Sequence, residues 1–519
     1  MATVMNNLST QLLVIGGGAT GLGIAWDASL RGIKTVLVEK GDLGEGTSGR
    51  YHGLLHSGGR YVISDPHSAS DCASENEILR KIAPSTIEDT GGYFVSTPAD
   101  PLEFPDSWLH GCEQTGVAAD EIPLAQLRKR EPLLNPRISR AFSVNDGALD
   151  SFALTHLLAN GIQRSGGKLL LRHAVTGLEI RHNHIQTIQL INLRTQEMLM
   201  MSADFVINAA GPWAGDIAWL AKTQIPITLS KGSMLAMASR FTQTVINRCK
   251  PPGDGDILVP IGTVSVLGTT DLPVQRPDHL QIFPWELDLL LSEADILVPG
   301  IRQHRPLRAW AGVRPLYSSQ HDDQEGDRAI KRSHIVLDHR DRDGIDNFVS
   351  VFGGKLTTYR LMAEAAVDLA ANRLGQYTAC ATRTTPIPAP DSPIGFLGSE
   401  RLRSFSDRAS SAQDMVICEC ELVSAKQLRQ ALFSDEQPTL DDLRRDFRLG
   451  MGPCQAAYCG FRSAGIAAKG SRADPQFLGD FTQERWKGIQ PLVWGSSLRQ
   501  IELMRRINFE LLHLSEADQ

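Results

Sequence analysis

Three glycines near the N-terminus have the spacing that binds a phosphate-bearing cofactor. Gly16, Gly18 and Gly21 form the pattern Gly-x-Gly-x-x-Gly. The first glycine of this pattern permits a tight turn, the second lets the backbone approach a pyrophosphate, and the third allows a helix to pack closely on a strand. Glu39 follows 18 residues after Gly21 and carries a carboxylate that accepts hydrogen bonds from a ribose. These four residues predict a dinucleotide site.

Two buried strands and a helix between them must hold these residues in place. The apolar run at 12–15 predicts the first strand, and the run at 35–38 predicts the second. The glycine turn lies between the first strand and the helix, whose free N–H groups and partial positive charge would face the phosphates. Glu39 ends the second strand, and its carboxylate disfavours a cofactor that carries a 2′-phosphate.

Further turns favour FAD over NAD. Residues 40–48 continue from the second strand as a polar, glycine-rich segment, where an NAD-binding domain usually returns to helix. Two later apolar strands, at 205–208 and 348–352, also run into turns, and three separated turns could line one long cofactor. An ordinary strand-end turn is the alternative for each later turn. The predicted cofactor contacts beyond the first turn are Thr47, Ser48, Ala210, Gly211, Gly353 and Gly354.

Four of the eight cysteines are clustered near the C-terminus as Cys418-x-Cys420 and Cys454-x4-Cys459. Four thiolates are the ligand set of an iron–sulfur cluster or of structural zinc, because soft sulfur donors select these over hard cations. An iron–sulfur cluster would suit a flavin protein, since a two-electron flavin must pass its electrons on singly. Zinc and unligated thiols are the alternatives.

Two short helices between the cysteine pairs would bring the pairs together. Ser424 could cap a helix that runs to Phe433, and Thr439 could cap a second helix, with an acid three residues later. The spacing of the pairs resembles that of small helical [2Fe–2S] modules related to bacterioferritin-associated ferredoxin, although those usually have a C-x2-C second pair.

Composition excludes several classes of protein. The 519 residues include 52 Lys and Arg against 59 Asp and Glu, a net charge of −7, which removes the electrostatic reason to expect nucleic-acid binding. Eight cysteines are too few for a disulfide framework, and the first residues lack the features of a secretory signal. The apolar stretches are too short to span a bilayer. We therefore expect a cytoplasmic protein whose membrane association is peripheral.

Several longer motifs together resemble the FAD-dependent glycerol-3-phosphate dehydrogenases, most closely the A subunits of the anaerobic bacterial enzymes. The resemblance covers nearly the whole chain. It rests on the N-terminal glycine pattern and on the segments at 47–48, 56–61, 268–271, 311–316 and 353–360.

The resemblance implies an activity and partners. FAD would take a hydride at N5 from C2 of sn-glycerol 3-phosphate, giving dihydroxyacetone phosphate, and the electrons would pass toward quinone in anaerobic respiration. It also implies a hetero-oligomer with electron-transfer and membrane-anchor subunits, which would hold the chain at the inner face of the cytoplasmic membrane.

The resemblance also assigns a pocket for the phosphate ester. A phosphate dianion needs fixed cations, and the planar fork of arginine can bond two of its oxygens. The implied substrate contacts are Arg60, Tyr61, Arg314, Lys355 and Thr358, and the implied catalytic residues are His56, Lys355 and Arg314.

The identity of the catalytic base stays open. His56 and Lys355 are the candidates, and His52 is an alternative. Where the aerobic relatives read Lys-Gly-Ser-His, this chain reads Lys-Gly-Ser-Met at 231–234, and where they carry Ser-Ser-Lys before the pocket histidine, it reads Tyr-His-Gly at 51–53. The side chain of Met234 accepts no proton, so either the base differs between the two branches or the missing histidine was never the base.

Two other functions are compatible with this pattern. An amino-acid or sarcosine-type flavin oxidase would need one arginine for a carboxylate instead of a cationic cluster for phosphate. A non-catalytic flavin and iron–sulfur electron-transfer subunit would need no working pocket.

The predicted fold is α/β, with a Rossmann-like FAD-binding domain, an inserted mixed β-sheet substrate domain and a small helical cysteine-rich module. The FAD-binding segments are placed at about 10–60, 150–215 and 340–375, and the substrate domain at 61–149 and 216–339. A proline-rich linker at 381–410 would lead to the ferredoxin-like module at 411–519. The apolar positions of its last helix, from 498 to 512, would pack on the module itself or face a partner subunit.

Overall fold

The computed structural model describes residues 7–317, 334–388, 398–409, 414–434, 438–468, 475–495 and 498–511. The strands, numbered in chain order, are β1 (Asn7–Ile15), β2 (Thr35–Glu39), β3 (Leu54–Leu55), β4 (Ile87–Glu88), β5 (Gly92–Ser96), β6 (Ala119–Glu121), β7 (Arg140–Val144), β8 (Gly147–Leu149), β9 (Lys168–Leu171), β10 (His173–Arg181), β11 (His184–Asn192), β12 (Met198–Asn208), β13 (Ile227–Met237), β14 (Val245–Arg248), β15 (Ile257–Ile261), β16 (Val264–Gly268), β17 (Leu272–Val274), β18 (Pro306–Tyr317), β19 (His334–Asp338), β20 (Phe348–Gly353), β21 (Val416–Cys418) and β22 (Val423–Ser424).

The α-helices, numbered in the same way, are α1 (Ala19–Leu30), α2 (Pro66–Ile82), α3 (Phe104–Thr115), α4 (Leu124–Arg130), α5 (Ser151–Arg164), α6 (Ala214–Leu220), α7 (Pro284–Leu297), α8 (His339–Asp343), α9 (Tyr359–Leu374), α10 (Gly398–Ala409), α11 (Ala425–Leu432), α12 (Leu440–Phe447), α13 (Cys459–Ala468), α14 (Pro475–Ile489) and α15 (Leu498–Arg505). Each helix in the described part of the chain is too short or too polar to cross a lipid bilayer.

The first sheet has the parallel core expected of a dinucleotide-binding domain. Strand β1 lies between β2 and β12, β9 extends the sheet beyond β2, and β20 pairs with the end of β12, all in parallel. Strands β10 and β11 form an antiparallel extension, and β19 pairs antiparallel with β20. Parallel strands end at one edge, so the turns that follow β1, β12 and β20 meet there. Because β19 belongs to this sheet, the sheet begins a few residues before the predicted boundary at 340.

The strands of this sheet are apolar on both faces because both faces are covered. Leu12 and Val14 of β1 pack in one core with residues of α1, α5 and α9, whereas Leu13 and Ile15 pack on the other face with residues of β10 and β11. The unbroken apolar run at 12–15 thus reflects burial from two sides.

The second sheet has nine strands in the order β17-β13-β16-β15-β14-β5-β7-β6, with β18 on the other edge of β13. Among its described pairings only β5 with β14 is parallel. Strands β13 and β18 pair from Ile227–Tyr317 to Met237–Pro306, which makes a long ribbon beside the first sheet. A small sheet of β3, β8 and β4 joins the two parts.

The C-terminal region forms a small helical unit around the clustered cysteines. The predicted helices are present as α11, capped by the Ser424 side chain, and α12, capped by that of Thr439. Each cap is a reciprocal box, in which the side chain three residues later accepts from the capping backbone N–H. The hairpin β21–β22 and helix α13 complete a core with these helices.

The last helices leave this module and return to the second sheet. Ile489, Leu492 and Ile501 are buried in one core with Leu287 and Leu290 of α7. Of the predicted apolar positions of the final helix, Ile501 therefore packs on the substrate domain, whereas Leu503 and Ile507 are exposed. A contact of these two residues with a partner subunit stays a prediction.

The predicted linker at 381–410 differs in part from the structure. Ile387 is buried, and its N–H donates to the carbonyl of Ile82 at 2.9 Å, so this part is packed against the end of α2. Residues 389–397 lie outside the described residues, and α10 occupies 398–409.

Candidate active site

The first glycine turn is built around close backbone contacts. Gly16 has a φ of +118°, and a Cβ there would lie 2.5 Å from the carbonyl oxygen of Ala209. A Cβ on Gly21 would lie 1.9 Å from the carbonyl oxygen of Gly16. Both positions therefore require glycine, the first for the turn and the second for the approach of α1, as the sequence predicts. Gly18 precedes the first residue of α1 and lines the cavity described below.

Glu39 holds the turn as well as facing the cavity. One carboxylate oxygen accepts from the N–H of Gly17 at 2.6 Å, and the other accepts from the N–H of Gly41 at 2.7 Å. Burial raises the pKa of Glu39, and the two N–H donors act in the opposite direction. Each oxygen keeps a second lone pair, so Glu39 can also accept from a ribose hydroxyl.

Two hydroxyls of the following loop have different partners. The N–H of Ala19, at the start of α1, donates to Ser48 Oγ at 2.9 Å, so that Ser48 sits at the positive end of the helix. Thr47 Oγ1 donates to the carbonyl of Val313 in β18 at 2.6 Å. Ser48 therefore lies where a phosphate would bind, and Thr47 ties this loop to the second sheet.

The later turns converge on the first, as predicted from the strand ends. Ala210 and Gly211 follow β12, and Gly353 and Gly354 follow the apolar part of β20; all four line one cavity with Gly16 and Gly18. Gly211, Gly353 and Gly354 have φ values of 57°, 81° and 66°, which favour glycine.

This cavity has a volume of about 2380 Å³ and runs between the two sheets. The predicted substrate residues Arg60, Tyr61, Arg314 and Lys355 line it, and so does His56. Thr358 is buried outside the lining, where its hydroxyl donates to the carbonyl of Lys355 at 3.1 Å and accepts from the N–H of Lys355. The structure thus gives Thr358 a place behind Lys355 instead of in the pocket.

Arg314 is held firmly by a turn at 269–271. Its Nη2 donates to Thr269 Oγ1 at 2.6 Å and to the carbonyl of Thr270 at 2.9 Å. Its Nη1 donates to Ser230 Oγ and lies 3.1 Å from a carboxylate oxygen of Asp271. A Cβ on Gly232 would lie 2.4 Å from Nη2, so the guanidinium rests on bare backbone.

Arg60 is fixed in a similar way on the other side of His52. It forms an ion pair with the buried Asp256 at 2.7 Å and donates to the carbonyl of Gly253. Burial and the positive charges of Arg60 and Arg314 lower the pKa of His52 to about 3. His52 is therefore neutral near pH 7, and its position shows that the two arginines converge.

The tautomer of His52 follows from its backbone contact. The N–H of Leu54 donates to Nδ1 of His52 at 3.1 Å, so Nδ1 carries a lone pair. The proton of the neutral ring is then on Nε2. In this state Nε2 can donate a hydrogen bond but has no lone pair to accept a proton.

A row of rings connects His52 to Lys355. The ring centroids of His52 and His56 are 5.8 Å apart, and those of His56 and Tyr61 are 5.6 Å apart. Lys355 Nζ lies 4.1 Å from the centre of the Tyr61 ring. No carboxylate among the described residues forms an ion pair with Lys355, whereas Arg60 and Arg314 each have one.

The residues that support Arg314 were not identified from the sequence. Glu286 of α7 accepts from Ser233 Oγ and Thr270 Oγ1, each at 2.8 Å, and forms a buried ion pair with Lys231 at 2.6 Å. These bonds lower the pKa of Glu286 although burial opposes them. Lys231, noted only as part of a sequence difference, thus stabilises the turn that holds Arg314. The feature of the sequence that could have pointed to these residues is the polar run at 230–233 within an otherwise apolar strand.

The four clustered cysteines are brought together in the module. Hydrogen-bonding contacts join Cys418 with Cys459, Cys420 with Cys454, and Cys454 with Cys459. All eight cysteines of the chain are described and none forms a disulfide. Among the described residues, no group of three or more His, Cys, Asp or Glu side chains is arranged so that it could hold a metal ion.

Backbone N–H groups are directed at two of these sulfurs. Those of Gly450 and Glu421 donate to Cys418, and those of Ala456 and Tyr458 donate to Cys454. Arg448, Gln455 and Ala456 nearby have positive φ values, which is uncommon for residues other than glycine. Such N–H to sulfur bonds stabilise thiolates and tune the potentials of iron–sulfur clusters.

The chain is similar to proteins of known class over most of its length. Residues 11–369 match the family "FAD dependent oxidoreductase". The chain is 39% identical over 520 residues to the A subunit of the anaerobic glycerol-3-phosphate dehydrogenase of Escherichia coli, covering 96% of each. It is 39% identical to the A1 subunit of the anaerobic glycerol-3-phosphate dehydrogenase of Haloferax volcanii, covering 98% of this chain and 91% of that one.

A solved structure has the same fold. The glycerol-3-phosphate dehydrogenase from Bacillus halodurans complexed with FAD superposes with a TM-score of 0.64 at 21% identity, over 94% of this chain and 97% of that one. The predicted combination of a Rossmann-like domain with an inserted sheet domain is therefore confirmed.

Proposed function

The chain belongs to the FAD-dependent oxidoreductases and, within them, to the family of anaerobic glycerol-3-phosphate dehydrogenase A subunits, and from this we propose that it oxidises sn-glycerol 3-phosphate to dihydroxyacetone phosphate. The observation that carries the proposal is the convergence of Arg60, Arg314 and Lys355 on one cavity that also contains the dinucleotide turn. Three fixed cations suit a phosphate ester, as the chemistry of a dianion requires.

The residues around the glycine turns fit FAD. Gly16, Gly18 and Gly21 leave room for a pyrophosphate at the N-terminus of α1, where the Ser48 hydroxyl also lies. Glu39 would accept from the ribose of the adenosine, and the turns at 210–211 and 353–354 would line the remainder of the cofactor. When bound, FAD supplies an acceptor for the hydride that leaves C2 of the substrate.

Lys355 is the cation with the charge best placed for the substrate. The positive charges of Arg60 and Arg314 are each balanced by a carboxylate. In our proposal these two arginines therefore orient the phosphate, while Lys355 neutralises its charge. Tyr61 holds Lys355 over the cavity through the cation–π contact. Thr358 then acts through Lys355, by fixing its backbone.

We propose His56 as the acceptor of the proton from the C2 hydroxyl. Hydride loss at C2 requires that this proton leave too, and an imidazole is suited to accept it. His52 is disfavoured because its Nδ1 lone pair is used by the N–H of Leu54. Its Nε2–H would instead donate to the substrate oxygen and help to orient it.

We propose that the four clustered cysteines ligate an iron–sulfur cluster, predicted as [2Fe–2S]. Four soft donors in one contiguous group, with N–H groups directed at their sulfurs, support this ligand set. The cluster would carry single electrons away from the flavin. Iron and sulfide analysis of anaerobically purified protein tests this, and finding zinc in place of iron would contradict it.

We further propose partner subunits that accept these electrons. The relatives bear the names of A subunits, which implies that other subunits exist. Tyr458 and Phe461 flank Cys459 and are 64% and 39% exposed, so an apolar surface lies beside the proposed cluster. Transfer to quinone and peripheral attachment to the cytoplasmic membrane would then depend on those partners.

Anaerobic titration of the FAD-loaded protein tests the function. We expect glycerol 3-phosphate to bleach the visible flavin absorbance, and glycerol or an amino acid to do so far more slowly. Bleaching by an amino acid but not by the phosphate ester would favour an amino-acid oxidase, and no bleaching by any of them would favour a protein that only transfers electrons.

A further inference from the structure

Two arginines meet where the second sheet contacts the C-terminal module. Arg308 lies half-buried on β18, and Arg485 lies on α14 and is only 4% exposed. Both line the large cavity, and the positive charge of Arg308 disfavours the charged form of Arg485. Within the described residues, neither forms an ion pair with a carboxylate.

Each of these arginines has a buried N–H group without a partner. Arg308 Nη1 and Arg485 Nε have no hydrogen-bond acceptor within the described part of the chain. Arg485 Nη2 donates to Gln455 Oε1, next to Cys454. Burial lowers the pKa of Arg308 to about 10 and that of Arg485 well below its usual value. Leaving buried cations unpaired in this way is costly.

The neighbouring charged side chains form ion pairs with one another. Arg444 bonds Asp441 at 2.6 Å, and Asp441 also bonds Arg445. Glu484 forms an ion pair with Lys487. Asp441 and Glu484 thus act on Arg308 only from a distance, and neither Arg308 nor Arg485 has a carboxylate of its own among the described residues.

The guanidinium of Arg308 is held in a fixed plane. A Cβ on Gly488 of α14 would lie 2.5 Å from Nε of Arg308 and 2.7 Å from its Cζ, so the group rests on the backbone of the helix. This contact positions Arg308 across the junction from Arg485. A preorganised pair of guanidinium groups is the arrangement that binds an oxyanion.

We propose that Arg308 and Arg485 form a second anion site, which binds a phosphate group. A phosphate monoester carries nearly two negative charges at neutral pH, which matches two arginines that form no ion pair within the described residues, whereas a carboxylate carries one. The acceptor oxygens of the phosphate would satisfy the two N–H groups that lack partners.

This site lies in the same cavity as the substrate pocket and the dinucleotide turn, but away from both. Arg308 and Arg314 lie six residues apart on β18, which corresponds to about 20 Å in a strand. Arg444, beside the proposed site, lies over the ring of Phe152, which packs against Gly49. Ser48, which precedes Gly49, instead accepts from the N–H of Ala19 at the start of α1. The 44–50 loop therefore lies between the proposed site and the dinucleotide turn.

Calorimetric titration of the FAD-loaded protein with inorganic phosphate tests the proposal. We expect Arg308→Gln and Arg485→Gln each to bind one equivalent fewer than the wild type, or to bind it at least tenfold more weakly. Arg429→Gln, which removes an exposed arginine of the same module, should bind as the wild type does. Unchanged stoichiometry and affinity in both site variants would overturn the proposal.

Two further measurements test whether the variants are folded and which phosphate compound binds the site. The flavin spectrum and the thermal midpoint in phosphate-free buffer should be preserved in the variants, while phosphate should raise the midpoint of the wild type and of Arg429→Gln by more than that of the two site variants. Midpoints that phosphate raises equally in all proteins would contradict the site. Titration with glycerol 3-phosphate and with adenosine monophosphate then shows which ester displaces the equivalent of phosphate that Arg308→Gln and Arg485→Gln lose, and displacement of that equivalent by either ester supports the site.

Discussion

Replacing Lys355 by methionine would remove the cation that lacks a carboxylate partner while keeping all but the last atom of the length of its side chain. The ammonium lies 4.1 Å from the Tyr61 ring at the edge of the cavity. If it bonds the substrate phosphate, its loss removes one charge-assisted hydrogen bond, worth about 1.5 to 3 kcal/mol. Because 1.36 kcal/mol corresponds to a factor of ten, kcat/KM should fall about 10- to 150-fold.

The assay compares glycerol 3-phosphate with glycerol in anaerobic single-turnover reduction of the flavin. A bond to the phosphate lowers the rate with the ester and leaves the rate with glycerol unchanged, so the preference between the two substrates falls by the same factor. If Lys355 instead stabilises the developing alkoxide, both rates fall together.

Lys40→Met is a matched control. Lys40 Nζ lies 3.9 Å from the Trp213 ring and lines the same cavity, but it follows Glu39 at the end predicted to hold the adenosine. With saturating FAD this variant should retain the substrate preference. A Lys355→Met protein that reduces as fast as the wild type with glycerol 3-phosphate would refute the assigned role of Lys355.

Three further changes test the supporting structure. Glu286→Gln leaves the buried Lys231 without its partner and should lower the free energy of unfolding in urea by about 3 kcal/mol; an unchanged midpoint would contradict the role of this pair. Burial opposes the charged form of His156, but the bond to Asp446 raises the pKa of His156 to about 9. The stabilisation by this pair is therefore complete below pH 6.5 and is lost as the pH rises through 9. Over that range the protection of α12 against hydrogen exchange should fall in the wild type, and a difference in protection between wild type and His156→Gln that does not change with pH would refute the linkage. Cys454→Ser should lose iron and sulfide while keeping FAD, as measured by metal analysis and absorbance. A variant that keeps its iron and sulfide would exclude Cys454 as a ligand.

The local parts of the fold could be predicted from the sequence. The apolar run at 12–15, the three glycines and Glu39 occur within one continuous unit, so spacing alone placed them correctly. The caps at Ser424 and Thr439 were also predictable, because a capping box needs only residues three apart.

The contacts around Arg314 could not be predicted in this way. Ser230 is opposite Arg314 because of the register between β13 and β18, which are separated by about 80 residues in sequence. Arg308 and Arg485 meet only because α14 returns to the second sheet. Such contacts depend on how distant segments pack, and residue spacing carries no information on that. Thr358 was assigned to the pocket for a different reason, because the resemblance was carried over to it although its contacts with Lys355 are a local turn of residues three apart.

The return of the C-terminal helices to the second sheet has a consequence for biosynthesis. Ile489, Leu492 and Ile501 complete the core that Leu287 and Leu290 begin. A ribosome must therefore synthesise nearly the whole chain before this apolar surface is covered, and the nascent chain exposes it until then. We expect ribosome-bound chains ending near residue 470 to recruit chaperones that released full-length chains no longer need.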